Sequence, residues 1–427
     1  MTNMAKIGIA GLILGVGIGF LLMQAVPDAG TVVEPPGELP SEPVAGSAND
    51  VPQVTVPPTM PSAETDVSQA VAPPQPGQDW PMYRGSQGLL GVTRETLPET
   101  LDLLWSFKTE GPVRSSAVVQ GGRVYIGSAD KHLYALDLDT GEKIWAFEAD
   151  SPIEAPPMVL GDTVYVGDLG GFVYAVDANS GEKRWVHETD GEVAGAVNWA
   201  QLGERLCVLA GSHDAYVHCL DAGTGEPIWR FETDSYVNGT VAVSGDLCAF
   251  GGCDAFVYVV RTADANEVTR IDAGAYVASS TVLAEGRVYA GNYDGLFIGA
   301  SIQDPNQRWE HAIDGGEIFS SAAVGSDRVV VGDRDSQVLC LDRHTGDLEW
   351  TFKTLDAVDS SPVIAGDKVV VGSDDGRLYL LSLETGKKLW SYELGEPIIS
   401  SPAVARGRVI IGCDDGSVYA FGTKTEK

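Results

Sequence analysis

Positive charge is what this chain has least of. Lysine and arginine total 28 against 60 aspartates and glutamates, for a net charge of −32. That balance excludes nucleic acid as a partner, because gripping phosphate needs a basic footprint. A basic protein surface or a cation fits better, although acidity on this scale also serves solubility alone. Histidine is scarce too: the six histidines are scattered, and none recurs beside a serine to act as its base. The six cysteines, Cys207, Cys219, Cys248, Cys253, Cys340 and Cys413, form neither a Cys-x-x-Cys motif nor an adjacent pair. Zinc is therefore left without its usual ligand spacing. Cys207 and Cys219 fall on segments that read as paired strands, so a disulfide between them stays open, as does the alternative of buried free thiols.

Basic residues are also missing from the beginning of the chain. Ile7 to Val26 is an uncharged apolar run broken only by Gln24, preceded by Lys6 and followed by no lysine or arginine until Arg84. Its length suits a membrane-spanning helix. The charge asymmetry places residues 1–6 in the cytoplasm and the remainder outside it, as expected of a single-pass inner-membrane protein whose bulk is periplasmic. A cleaved signal peptide is the rival reading; the length of the run and the lack of a small-x-small site weigh against it. Residues 27–79 hold 12 of the 23 prolines, eight acids and no base. Such a segment reads as a disordered, extended tether.

What the chain does have is a ladder. Tryptophan stands at Trp105, Trp145, Trp185, Trp229, Trp309, Trp350 and Trp390, and Arg270 fills the one vacant rung. A spacing of about forty residues signals a repeat architecture. Each unit holds four short apolar segments bounded by Gly, Asp or Ser, such as Pro112 to Val119, Arg123 to Gly127, His132 to Asp137 and Lys143 to Phe147. Many are continuously apolar, as in sheets covered on both faces. The expectation is an all-β, eight-bladed propeller over residues 103–427, with innermost strands beginning near Val113, Ile153, Val193, Val237, Val277, Ile318, Val358 and Ile398. The last unit lacks an outer strand, so the Trp105 segment is expected to complete it and close the ring.

The run Ala135, Asp137, Thr140, Gly141, Trp145 resembles the docking motif of the PQQ-type (pyrroloquinoline-quinone-type) β-propeller repeat, and Ala175 to Trp185 repeats it. The stretch Trp80 to Gly85 is similar to the segment that leads into such propellers, so residues 80–102 read as a lead-in. The resemblance implies one of two kinds of protein. Quinoprotein dehydrogenases hold PQQ and calcium over the channel; the cofactor-free kind, with BamB as its best-known member, is a scaffold of outer-membrane protein assembly. The chain lacks the vicinal disulfide and the long insertions of many alcohol-oxidising members, so the cofactor-free branch is expected, with PQQ and calcium as the alternative. Two units depart from the motif and read as the third and fourth blades. One has Val259, Arg261 and Arg270 in place of its Ala, Asp and Trp; the next, Gly299 to Trp309, has no Thr-Gly.

Serine pairs such as Ser360-Ser361 and Ser400-Ser401 look like repeated nucleophiles, but they fall on the innermost strands, where only small side chains fit. Carboxylates are the constellation with more promise. Loops leading into the innermost strands carry Glu110, Asp150, Asp190, Asp234, Asp272, Asp314, Asp356 and Glu396, and hairpin turns carry Asp130, Asp214, Asp254, Asp294, Asp335, Asp375 and Asp415. Strand alternation puts both sets on one face of the disc. The alternative is that aspartate suits these turns regardless. The resulting expectation is no catalytic residue, and a protein partner docking on an acidic propeller face.

Overall fold

The computed structural model describes residues 77–313 and 315–424. The apolar run 7–26 and the chain up to residue 76 lie outside them; among the described residues no helix is long and apolar enough to cross a membrane. Strands of two to seven residues form eight sheets, each built on four antiparallel strands. The first blade consists of Val118–Gln120, Arg123–Gly127, His132–Asp137 and Lys143–Glu148. The eighth takes Ala403–Ala405, Arg408–Cys413 and Ser417–Gly422 from the end of the chain and Asp102–Lys108 from the beginning. Trp105 pairs with Ala420 as Trp145 pairs with Ala135, so the ring closes as the sequence implies. Counted from the blade that begins at Val118–Gln120, the units bearing Arg270 and Trp309 are the fourth and fifth, one later than expected, because three complete tryptophan-bearing blades (Trp145, Trp185 and Trp229) precede them.

The innermost strands are shorter than the apolar pattern suggests. Regular pairing begins at Val118, not Val113. The preceding residues turn their hydrogen bonds toward the neighbouring blade instead. The second serine of each pair accepts from a backbone N–H one blade earlier: Thr240 N–H to Ser280 (2.9 Å), Ser280 to Ser321 (3.0 Å), Ser321 to Ser361 (2.9 Å), Ser361 to Ser401 (3.1 Å) and Ser401 to Ser116 (2.8 Å). Ala196 joins through Thr240 Oγ1 at 3.0 Å. Pro156, with neither hydroxyl nor N–H, interrupts the circuit. The serines are structural groups whose hydroxyls serve the buried backbone.

The tryptophans link the blades farther out. Trp145 Nε1 donates to Ala178 O (3.1 Å) and Trp185 Nε1 to Ala222 O (3.0 Å), each in the next blade. Trp105, Trp229, Trp309 and Trp350 do the same. Each ring lies over the glycine of the receiving Thr-Gly loop where there is one. Gly141 has φ +72°, and a Cβ there would stand 2.6 Å from the Trp105 ring. The two irregular units therefore share one cause. Arg270 has no indole to dock, and the loop that would receive it, residues 301–307, has no Thr-Gly. The cysteines fit the same scheme: Cys219 and Cys340 lie opposite Trp229 and Trp350, and all six stand as free thiols, Cys207 and Cys219 included.

The lead-in does more than precede the propeller. It crosses the floor, the face carrying the turns between first and second strands, and touches every blade. Asp79 pairs with Arg406 of the eighth blade and accepts from Gly121 N–H of the first. Carbonyls of Trp80, Pro81, Gln87, Gly88, Leu90 and Gly91 accept N–H groups of Val119, Val159, Val243, Leu283, Val324 and Ile364, while Asn198 donates to Gln87 O from the third blade. Val92–Thr93 then pairs in parallel with Val363–Ala365. At the centre, Arg84 is 1% exposed and donates to the carbonyls of Ser361 (3.0 Å), Ala322 (2.9 Å) and Pro362 (2.6 Å). Burial pulls its pKa down to about 10, so it remains a cation at neutral pH. Tyr83 Oη reaches Ser361 Oγ at 3.0 Å and stops the channel from below.

Two stability changes follow. Gly141→Ala meets both the positive φ and the indole, and its denaturant midpoint should report a loss of about 1–3 kcal/mol. Arg270→Trp restores only half of the lost dock, so its unfolding free energy should stay within about 0.5 kcal/mol of the parent.

Candidate functional site

The face opposite the lead-in carries the loops into the innermost strands and the turns between second and third strands. The described members of both expected carboxylate sets lie on it. Backbone N–H groups of Glu110, Asp190 and Asp234 donate to Asp130, Asp214 and Asp254 at 2.9, 3.2 and 3.1 Å, which fixes the two sets as neighbours. Their roles differ. The turn aspartates form latches: Asp130 accepts from His132 N–H and Tyr134 Oη as well as Glu110 N–H. Desolvation alone would raise its pKa; the bonds from Glu110, Tyr134 and His132 hold it below the ordinary carboxylate range. Asp254 with Tyr258, Asp375 with Tyr379, Asp415 with Tyr419 and Asp214 with His218 repeat the arrangement. In the second, fifth and sixth blades the latch moves two residues earlier, to Asp168, Asn292 and Asp333, each accepting the N–H four residues on. Asp294 and Asp335 are thereby exposed.

Of the described loop carboxylates only Asp150 is engaged in this way, accepting from the Tyr174 hydroxyl at 2.9 Å. Glu110, Asp150, Asp190, Asp234, Asp272, Asp356 and Glu396 are all exposed, one to a blade, and ring the face without converging. Asp314 lies outside the described residues. Among the described residues no three His, Cys, Asp or Glu side chains come together as a metal site requires.

Nearer the axis is a set that the sequence reading missed. Arg114 forks onto Asp414 at 3.1 and 3.3 Å and reaches Glu154 at 3.4 Å. Arg334 forks onto Asp359 at 2.9 and 2.7 Å, contacts Glu317 at 3.5 Å, and lies 3.8 Å over the Phe319 ring. Asp374 stands among Asp359, Asp356 and Asp414; its Oδ1 is shielded from solvent and accepts no hydrogen bond. Desolvation and these neighbours push its pKa up to about 7 despite Arg334. One signal marks this set. The residue after each innermost apolar position, in sequence Arg114, Glu154, Ala194, Asn238, Ala278, Phe319, Asp359 and Ile399, varies freely where the repeat is otherwise regular, because it faces the channel.

The cavity at the mouth holds 160 Å³, with Tyr83 at its base. Sites for drug-sized ligands occupy roughly 300–1,000 Å³. PQQ, a tricarboxylate, does not suit the residues here: both arginines already serve carboxylates, and acids outnumber them. A larger cavity of 670 Å³ lies on the floor, between Leu90 to Arg94 of the lead-in and the fifth to seventh blades, away from the channel mouth.

Asp374 provides a test by pH. Its folded carboxyl keeps a proton that the unfolded chain releases, so its contribution is full below the ordinary carboxylate range and is lost as pH rises through about 7. Urea titrations should show Asp374→Asn more stable than the parent at pH 8, by roughly 1–2 kcal/mol, with the difference shrinking toward pH 4.

Comparison with known proteins places this geometry. No curated protein matches the chain by sequence. BamB from Moraxella catarrhalis superposes with a TM-score of 0.63 at 18% identity, covering 77% of this chain and 99% of that one. The quinohemoprotein alcohol dehydrogenase from Comamonas testosteroni gives 0.70 at 14% identity over 82% and 81%. The computationally designed Ika8 protein gives 0.67 at 18% identity over 75% and 99%. At these identities the likeness is one of fold. The family model of the outer membrane protein assembly factor BamB matches residues 97–210, 213–353 and 313–425. The chain belongs to that family of PQQ-type β-propeller repeats.

Proposed function

We propose that this protein is a non-enzymatic scaffold. In this reading the 7–26 helix tethers it to the inner membrane and the propeller stands outside the cytoplasm. Its partner is another protein of the cell envelope, docked on the acidic face, in a role like the outer-membrane protein assembly for which the BamB family is named. One observation carries the reading. The lead-in bonds to every blade and sets Tyr83 at the base of the channel, so the mouth on the opposite face is ringed by exposed carboxylates and too small for a PQQ-sized ligand. A surface of this kind engages a partner across a face, and its summed field favours a basic one.

The quinoprotein alternative is tested in the same preparations. Photo-crosslinkers replacing Asp150 and Asp234 should capture one envelope protein, whereas crosslinkers at Glu285 and Asp327 on the floor should not. Equal capture from both faces, or none from either, overturns the scaffold reading. So does dye-linked alcohol oxidation, with quinone absorbance, after incubation with PQQ and calcium.

A further inference from the structure

The acidic face is not uniform. Its exposed large apolar side chains, Tyr236 and Tyr276 (each 54% exposed), Tyr293 (36%) and Leu355 (79%), all belong to blades four to seven. The residue before the innermost apolar position is Pro112, Pro152 and Pro397 in blades one, two and eight, but Tyr236 and Tyr276 in blades four and five. The Tyr276 and Tyr293 rings lie 6.3 Å apart, and Tyr293 lies 5.9 Å from Phe319. Tyr236 stacks on His213 at 5.0 Å. The backbone holds this arc in place: Tyr236 O accepts from Cys253 N–H and Tyr276 O from Tyr293 N–H, both at 2.9 or 2.8 Å. Carboxylates flank it, with Asp234 and Asp272 in the adjoining loops, Asp294 beside Tyr293, and Glu317 bonded to the Tyr293 hydroxyl, which is held above its ordinary pKa as a result. One position of the arc already carries an arginine. Arg334 stacks on Phe319 while its guanidinium forks onto Asp359.

We infer that the aromatic arc of blades four to six binds an arginine-rich extended segment of the partner protein, each guanidinium stacking on a tyrosine while pairing with an adjacent carboxylate, as Arg334 does on Phe319. Arginine fits better than lysine because its planar group stacks and forks at once. The charge of the face draws the segment in, and the tyrosines determine where it settles. This inference rests on the scaffold reading and adds the chemistry of the partner.

The full-length protein in detergent would be titrated with a fluorescent twelve-residue peptide of alternating arginine and serine, and with its lysine counterpart. The arginine peptide should bind more tightly. Tyr236→Ser with Tyr276→Ser should weaken it roughly tenfold, two stacking contacts being removed without a change of charge. The matching pair of phenylalanine substitutions should bind as the parent does, and none should move the melting temperature, since both side chains are exposed. Equal binding of the two peptides, or no effect of the serine pair, means that the field alone acts and overturns the inference. Tyrosine-dependent binding of a neutral oligosaccharide, without binding of the arginine peptide, also overturns it. In membranes, a partner still crosslinked to the serine variant refutes the arginine segment and leaves the scaffold standing. Loss of a partner that the parent captures supports both, and no partner for either protein defeats the scaffold reading itself.

Discussion

Each blade must be held to the next, because a four-stranded sheet buried on both faces has no stability without neighbours on both sides. Two circuits provide the hold, and their gaps do not coincide. The outer circuit of tryptophan docks is complete from blade eight through blades one, two and three to four. It fails between four and five, where Arg270 replaces the indole, and between seven and eight, where Trp390 packs against Phe421 instead. The inner circuit of serine and threonine hydroxyls runs unbroken from blade three round to blade one and fails where Pro156 interrupts it. Every junction therefore keeps at least one circuit. Closure by the Trp105 strand makes the array cooperative, since it leaves no terminal blade to fray.

This arrangement separates what was legible in the sequence from what was not. The ladder, the blade count and the ring closure depend on side chains that recur at a fixed period, and recurrence survives in a single sequence. So does the docking alanine position, which cysteine fills as a small apolar residue at 219 and 340. The lead-in was legible only as a resemblance over Trp80 to Gly85. Its bonds are made by main-chain carbonyls, which leave no pattern of residue types. Arg84 could have given the hint, as the first base after a long acidic stretch, but burial against three carbonyls with no carboxylate partner is not visible in composition. The innermost strands read too long for a related reason. Apolar residues were demanded there by packing on the second strand of the preceding blade, as Ile153 packs on Gly127 and Val113 on Gly412, rather than by the ladder of strand bonds.

The candidate site was half legible. The described carboxylates lie on one face, as expected, yet periodicity could not separate those that hold a turn from those left exposed. The separation is made by the residue four places on. Where a tyrosine or histidine follows, as at Tyr134, Tyr258, Tyr379, Tyr419 and His218, the aspartate is spent on it. The shift of the latch to Asp168, Asn292 and Asp333 in the other blades leaves Asp294 and Asp335 exposed. The channel-facing column escaped notice because it is irregular, and a search for repeats passes over the position where the repeats disagree.

That disagreement is also where a propeller acquires an identity. A ring built from one repeat has equivalent blades, and an equivalent ring cannot orient a partner that lacks its symmetry. Three departures coincide here in blades four to six: the lost dock at Arg270, the missing Thr-Gly loop, and the exchange of prolines for exposed tyrosines on the acidic face. The first two loosen the outer rim, but the inner hydroxyl circuit is intact across the same junction, so the rigidity of the face is preserved beneath the tyrosines. Exposed aromatic rings on a rigid, charged surface lose little conformational freedom on binding, and such residues dominate the energy of protein interfaces. The floor offers no counterpart, because the lead-in has already taken the hydrogen bonds at its centre. The two faces are thus unequal by construction: the lead-in covers one, and the proposed partner surface lies on the other.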